Sequence, residues 1–261
     1  IWNSQAALWL LAAVALVAAY VAMTIPAHAE AAPDEEHASL RVERGSLRRG
    51  LKAVLTRPLG RNVLATLWAE AMARFMTGFL TLFLAFVAKA QENASAMEQA
   101  GLLAIAGAAG GIGTFVGNAV GARTELGRPS RIATYTAGAS LSTAIVAAFL
   151  GTIWAAAAFA LIAAIASALG KVALDSSIQT DIPDAARSSA FGRSETALQL
   201  AWVFGGALGV LLPPDFTIGF SVVAVVGALM FAQSLLTARG TTLVPGLGGN
   251  RPRFPGGSAG Q

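Results

Sequence analysis

Charged side chains inside apolar segments are the residues of this sequence best suited to chemistry. In one such segment Glu70 and Arg74 lie four residues apart, and Thr77 and Thr81 continue the spacing. Residues three or four apart share one face of a helix, so these side chains form a polar stripe on which acid and base can pair. The stripe predicts either a structural ion pair near the cytoplasmic end or a carboxylate that exchanges protons beside a pathway.

Two further apolar segments carry similar stripes. They contain Ser167, Lys171 and Asp175, and Glu195, Gln199 and Trp202. A charge in the middle of a bilayer costs about 2.5–3.5 kcal/mol or more, so each one is a functional candidate, although Asp175 is close enough to the predicted membrane surface to be solvated. We predict proton-coupling or gating roles for Glu70, Arg74, Lys171 and Asp175, and substrate contacts for Thr77, Thr81, Gln199 and Trp202.

The composition requires an apolar solvent around most of the chain. Of 261 residues, 55% are hydrophobic and 12% are charged, whereas soluble domains have about 25% charged residues. The absence of cysteine excludes disulfides, thiolate metal sites and a cysteine nucleophile, and two histidines leave little material for a zinc site. The sequence also contains no phosphate-binding loop and no histidine-based triad. We therefore expect a membrane protein that is not an enzyme, needs no cofactor or metal and does not hydrolyse ATP.

Seven apolar runs are long enough to cross a bilayer, and they must be helices because lipid offers no hydrogen-bond partners to a strand edge. They are Ala6–Pro26, Val63–Val87, Gly101–Ala122, Ala133–Leu150, Ile153–Ile178, Thr196–Leu212 and Thr217–Thr237. The fourth and fifth runs are continuous, and a turn at residues 150–152 must divide them, since one helix would be about 70 Å long. The predicted fold is an all-α bundle of seven transmembrane helices.

Four regions are expected along the chain. A first transmembrane helix covers residues 1–26, and a cytoplasmic linker with an amphipathic helix on the inner leaflet covers 27–61. A six-helix domain covers 62–238, and a tail rich in glycine and proline, predicted to be disordered, covers 239–261. The alternative interpretation of this amphipathic helix is that it binds a partner protein.

The positions of lysine and arginine predict the orientation. Fifteen of the 18 lie in the loops after the first, third and fifth spans and in the tail, whereas the opposite side carries only Lys89. Basic loops stay in the cytoplasm, so the N-terminus is expected outside and the C-terminus inside. The net charge of +4 therefore reports orientation, and we expect the lipid bilayer, rather than nucleic acid, as a partner.

The first span has a second interpretation. It ends at Ala27-His28-Ala29, which resembles a signal-peptide cleavage site, but no lysine or arginine precedes the apolar run. Cleavage would also leave the basic loop outside. The chain begins at Ile1 and enters a predicted span at once, and we expect it to be a piece of a longer protein.

Two local stretches carry a resemblance to a known family. Residues 117–123 read Gly-Asn-Ala-Val-Gly-Ala-Arg and are followed by Gly127-Arg128-Pro129-Ser130-Arg131. They occupy the place of the second cytoplasmic glycine-aspartate-arginine-glycine loop of the major facilitator superfamily. Residues 175–203 are similar to a segment of actinobacterial members. Except for its tail, the chain resembles the C-terminal half of such a transporter, from the sixth to the twelfth helix.

The resemblance implies alternating access by two six-helix halves, each built from inverted three-helix repeats. It implies that the second and fifth spans line the cavity, and that the first, fourth and seventh lie outside. Gly121 stands where the loop motif has an acid, so the charge relay of that loop is not carried over. The remaining gate candidates are Arg123, Arg128, Arg131, Arg193 and Glu195.

The resemblance implies secondary active transport across a bacterial plasma membrane. The partners it implies are a small organic solute and the missing N-terminal half. Export driven by a proton or solute gradient is the leading hypothesis. A seven-helix receptor or sensor is the alternative, although the last span, Thr217–Thr237, lacks the lysine that a retinal pigment needs. A membrane-embedded enzyme would need paired acids or histidines at the interface.

Overall fold

The computed structural model describes residues 59–91, 94–123 and 129–243, together with Ala13 and Val17. The chain divides into two compact units, Ile1–Ala53 and Val54–Gln261. In the first unit the two described residues are helical. The predicted first span, the amphipathic linker helix, Arg128 and most of the tail lie outside the described residues.

The described part of the second unit is an all-α bundle of six helices. They are α1 (Arg61–Lys89), α2 (Ala96–Arg123), α3 (Pro129–Leu150), α4 (Ile153–Asp181), α5 (Asp184–Leu211) and α6 (Phe216–Arg239). Five of them, all except α5, are long and apolar enough to cross a membrane. Each of the second to seventh predicted spans coincides with one of these helices. The prediction for α5 was wrong at its start, because the helix begins twelve residues before Thr196.

Capping residues explain where the central helices begin and end. Gly151 adopts φ +57°, a left-handed conformation that suits glycine, and ends α3. The side chain of Thr152 then accepts a hydrogen bond from the Ala155 amide and caps α4. The predicted turn at residues 150–152 is therefore confirmed. In the same way the Asp215 side chain caps α6 by accepting from the Ile218 amide.

Helix α1 occupies the middle of the bundle. It packs against α3, α4, α5 and α6, and its Phe79 and Phe83 stack with ring centroids 4.7 Å apart. Phe220 of α6 meets Phe83 on one side and Phe159 of α4 on the other, at 5.8 Å in each case. This aromatic cluster connects α1, α4 and α6.

Small residues bring α2 close to α4. The buried residues of α2 are Ala106, Gly113, Gly117 and Gly121. A Cβ added at Gly113 would overlap the carbonyl oxygen of Leu161, and one at Gly117 would lie 2.7 Å from the Ala168 Cβ. The glycine track predicted from the four-residue spacing is therefore a close helix contact. The rest of α2 is largely exposed in this bundle.

Candidate functional site

Glu70 of α1 is the centre of a buried polar contact between α1 and α4. Its side chain is 0% exposed. The Arg74 Nε donates to its Oε1 at 3.0 Å, and the Ser167 Oγ of α4 donates to the same oxygen, also at 3.0 Å. The ion pair expected from the spacing of four is present, and Ser167 adds a hydrogen bond between helices. The second oxygen, Oε2, is buried against Gly170 and has no hydrogen-bond partner among the described residues.

Lys171 joins a second set of charges. Its Nζ donates to Asp175 Oδ1 at 2.7 Å on the same helix, and lies 3.4 Å from Glu195 Oε2 on α5. Glu195 also accepts from the Gln199 amide at 2.9 Å. The predicted pairing of Lys171 with Asp175 is therefore present. The pairing with Glu195 was missed, because it connects two helices whose relative rotation the sequence does not reveal.

Arg74 and Lys171 line one cavity, which we call the polar cavity. Its volume is about 330 Å³, and its wall comes from α1, α2 and α4. The polar lining residues are Arg74, Thr77, Thr114, Asn118, Ser167 and Lys171. Thr114 and Asn118 were not among the predicted substrate contacts. The four-residue spacing from Gly110 to Thr114 and Asn118 could have indicated a shared face of α2.

A second cavity adjoins the first, and we call it the apolar cavity. Its volume is also about 330 Å³. Thr77, Thr114 and Ala164 line both cavities. Most of the other lining residues are leucine, alanine or glycine, and Thr81 also lines this cavity. Both cavities thus have walls from α1 and α4, the two helices that the family resemblance assigns to the cavity.

The structure does not bring all predicted contacts to these cavities. Gln199 is exposed on α5 and pairs with Glu195 on its own helix. Trp202 is half-buried, and its backbone carbonyl lies against Gly78 of α1. Neither residue lines the polar or the apolar cavity. Substrate contact therefore stays a prediction for Thr77 and Thr81, which line cavity walls, and has no geometric support for the two residues of α5.

The expected gate residues occupy several positions. Arg123, in the last turn of α2, and Arg131, in the first turn of α3, are exposed. The Arg193 Nε donates to the Ser189 carbonyl of its own helix at 3.3 Å. Glu195 contacts the cavity-lining Lys171. A gating role for these residues stays a prediction.

Removing the Ser167 hydroxyl tests the contact between α1 and α4. We expect Ser167→Ala to lower the free energy of unfolding by about 1.5–3 kcal/mol, because a buried carboxylate loses a charge-assisted hydrogen bond. The measurement is unfolding of the full-length protein in mixed micelles by a denaturing detergent. Ser177→Ala is the matched control, since Ser177 is equally buried on α4 but donates to the Ala173 carbonyl of its own helix. Equal losses in both variants would contradict the role of Ser167.

Residues 1–206 match the family model described as Major Facilitator Superfamily. The chain belongs to this superfamily. It is therefore a multi-pass membrane protein of a transporter family and not an enzyme, which favours transport over the receptor or sensor alternative. The expected resemblance is confirmed at this level.

Mycobacterial proteins are similar to this superfamily member over most of its length. It is 41% identical over 255 residues to an uncharacterized protein of Mycobacterium leprae, and the match covers 94% of the chain and 44% of the relative. It is 43% identical to an uncharacterized protein of Mycobacterium tuberculosis, with 94% and 45% covered. The chain thus spans less than half the length of these curated relatives. No solved structure matches it significantly.

Proposed function

We propose that this chain is the C-terminal half of a secondary active transporter, from the sixth to the twelfth helix, which exports a small organic solute by alternating access. Its partner is an N-terminal half of similar size, and its membrane is the bacterial plasma membrane, with the N-terminus outside and the C-terminus in the cytoplasm. Superfamily membership supports this function, and so does the length of the relatives, of which the chain spans 44–45%. The basic loops support the orientation.

One observation carries the coupling mechanism: a fully buried carboxylate lies directly behind the wall of the polar cavity. Glu70 holds Arg74, a lining residue, through its Oε1. A proton on Glu70 removes the negative charge that neutralises Arg74, so the charge facing the cavity depends on whether Glu70 is protonated. Because Ser167 ties the same carboxylate to α4, protonation also weakens a contact between α1 and α4. Proton binding is thereby linked both to the charge of the solute site and to helix packing.

Glu70→Gln tests proton coupling. In the full-length protein in proteoliposomes, we expect this change to reduce proton-driven transport to the level of empty vesicles. Glutamine has the shape of glutamate, but its amide cannot take up and release a proton. Proton flux is read by a pH-sensitive dye inside the vesicles while a panel of small organic solutes is added.

Glu98→Gln is the control for this measurement. Glu98 is exposed and caps the start of α2 through Ser95, away from both cavities described above. Its variant should retain full flux. Undiminished driven flux in Glu70→Gln, with the protein inserted normally, would refute the coupling role of Glu70.

A further inference from the structure

We propose that the solute is an organic anion, with a carboxylate or similar acid group held in the polar cavity and a small apolar body in the apolar cavity. This inference deepens the proposed function, because it takes the two adjoining cavities as the solute site. It concerns equilibrium binding, so it can be tested without any gradient and independently of proton coupling.

The polar cavity presents cations, whereas their carboxylate partners lie outside its lining. Arg74 and Lys171 both line it, but Glu70, Asp175 and Glu195 do not. Thr77 and Thr114 donate their hydroxyl hydrogens to carbonyls of their own helices. The groups left to bind a solute as hydrogen-bond donors are therefore the two cations and the amide of Asn118. Donors of this kind recognise a carboxylate or another acid group.

Arg74 provides the strongest contact. A guanidinium carries five N–H donors, and only the Nε donates to Glu70. Within the described part of the chain, its two Nη groups have no hydrogen bond, and the side chain is 30% exposed. Two N–H groups in a fixed fork match the two oxygens of a carboxylate. Glu70 thus orients the guanidinium and leaves its far edge for the solute.

The apolar cavity selects the rest of the molecule. None of its lining residues in the described part of the chain is charged, and its walls include Leu80, Leu84 and Leu103. Gly107, Gly110 and Gly111 also line it, and a Cβ at any of them would meet no atom of the described residues within 4 Å. An apolar wall with open space beside it fits a hydrocarbon or aromatic group. Because Thr77 and Thr114 border both cavities, one solute can occupy the two together.

A cationic solute is the competing possibility, since Asp175 and Glu195 are close. Both carboxylates already contact the Nζ of Lys171, at 2.7 and 3.4 Å. The lysine ammonium therefore occupies the position that a solute amine would need. A cation approaching Arg74 from the cavity would meet a like charge, which is unfavourable.

Three probes of nearly equal shape test the charge preference: benzoate, benzamide and benzamidine, with charges of about −1, 0 and +1 at neutral pH. Binding is measured by calorimetry on the full-length protein in lipid nanodiscs. We expect benzoate to bind at least about tenfold more tightly than benzamide, and benzamidine to bind weakest. Equal affinities, or tightest binding of benzamidine, would overturn the proposal.

Variants locate the preference in the polar cavity. Glu70→Gln with Arg74→Gln removes both charges of the pair and leaves two amides that can still bond, so the fold is retained. It should lower the affinity for benzoate far more than the affinity for benzamide, and so remove most of the benzoate preference. Asn118→Leu, at an exposed position of α2, should weaken benzoate severalfold. Arg239→Gln removes an exposed cation at the end of α6 and should retain the preference. An equal loss in Arg239→Gln would mean that overall charge is responsible, and would overturn the site.

The apolar cavity is tested with 4-propylbenzoate. We expect it to bind more tightly than benzoate, and Gly110→Leu should lower the affinity for 4-propylbenzoate much more than the affinity for benzoate, so that the gain is cancelled. A gain that persists in Gly110→Leu would place the propyl group elsewhere and overturn this half of the proposal. Benzoate preference without proton-driven flux would support the anion site and refute the coupling role of Glu70. Driven flux with a benzamidine preference would do the reverse.

Discussion

Gly205→Ala is expected to lower the free energy of unfolding by about 3 kcal/mol, at the upper end of the cost of overpacking. A Cβ at Gly205 of α5 would overlap the carbonyl oxygen of Phe75 on α1, and one at Gly78 of α1 would overlap the carbonyl of Trp202 on α5. Both obstacles are backbone atoms, which cannot rotate away as a side chain can. The two helices must therefore separate along the whole contact, and the packing of Phe79 must change with them.

Gly192→Ala is the matched control for this prediction. Gly192 is on the same helix, but it is exposed, and an added Cβ would meet none of the described atoms within 4 Å. Because alanine is favoured over glycine in a helix by about 1 kcal/mol, this variant should be as stable as the parent or more so. Unfolding by denaturing detergent compares the two. If Gly205→Ala behaved like Gly192→Ala, α1 and α5 would not be in backbone contact.

The positions of the six described helices could be predicted from the sequence because lipid imposes a simple length rule, whereas the predicted first helix lies outside the described residues. The turn at Gly151 was predictable for the same reason, since a single helix through it would exceed any bilayer. The start of α5 was not, because its first turns are polar and carry no membrane signal. There the Arg187 side chain donates to the carbonyls of Ile182 and Gln179. These hydrogen bonds join the first turn of α5 to the end of α4 across a short turn, and they do not depend on an apolar pattern.

In the candidate site, contacts within one helix could be predicted from the sequence, whereas contacts between helices could not. Pairs four residues apart, such as Glu70 with Arg74, depend only on helix geometry and could be predicted. The bond from Ser167 to Glu70 spans 97 residues of sequence, and it depends on which faces of α1 and α4 meet. Spacing also placed Trp202 on the face of Glu195. Instead, the backbone carbonyl of Trp202 packs against Gly78 of α1, and Trp202 lines neither cavity.

Arg74→Gln is expected to destabilise the protein by about 3–5 kcal/mol, the usual cost of leaving one partner of a buried ion pair without the other. Glu70 is 0% exposed, and Ser167 supplies one hydrogen bond but no charge. Adding Glu70→Gln to this variant removes the unpaired charge, so the double variant should recover most of the loss. The measurement is a double-mutant cycle on the free energy of unfolding in mixed micelles.

Lys171→Gln is the control for this cycle. Its partners Asp175 and Glu195 are 33% and 42% exposed, so water can solvate them and the loss should be below about 1 kcal/mol. A double variant as unstable as Arg74→Gln alone would contradict the account, because charge burial would then not be the cause.

The double variant of Glu70→Gln and Arg74→Gln also distinguishes a structural ion pair from a pair that couples protons to transport. A structural ion pair can be replaced by two amides with little loss of transport. A pair that couples protons to the solute cannot, because neither amide changes its charge. Normal stability together with lost proton-driven flux would therefore mean that the pair, despite the cost of burying it, serves transport rather than folding. Normal stability with normal flux would leave Glu70 and Arg74 as a structural contact between neighbouring turns of α1.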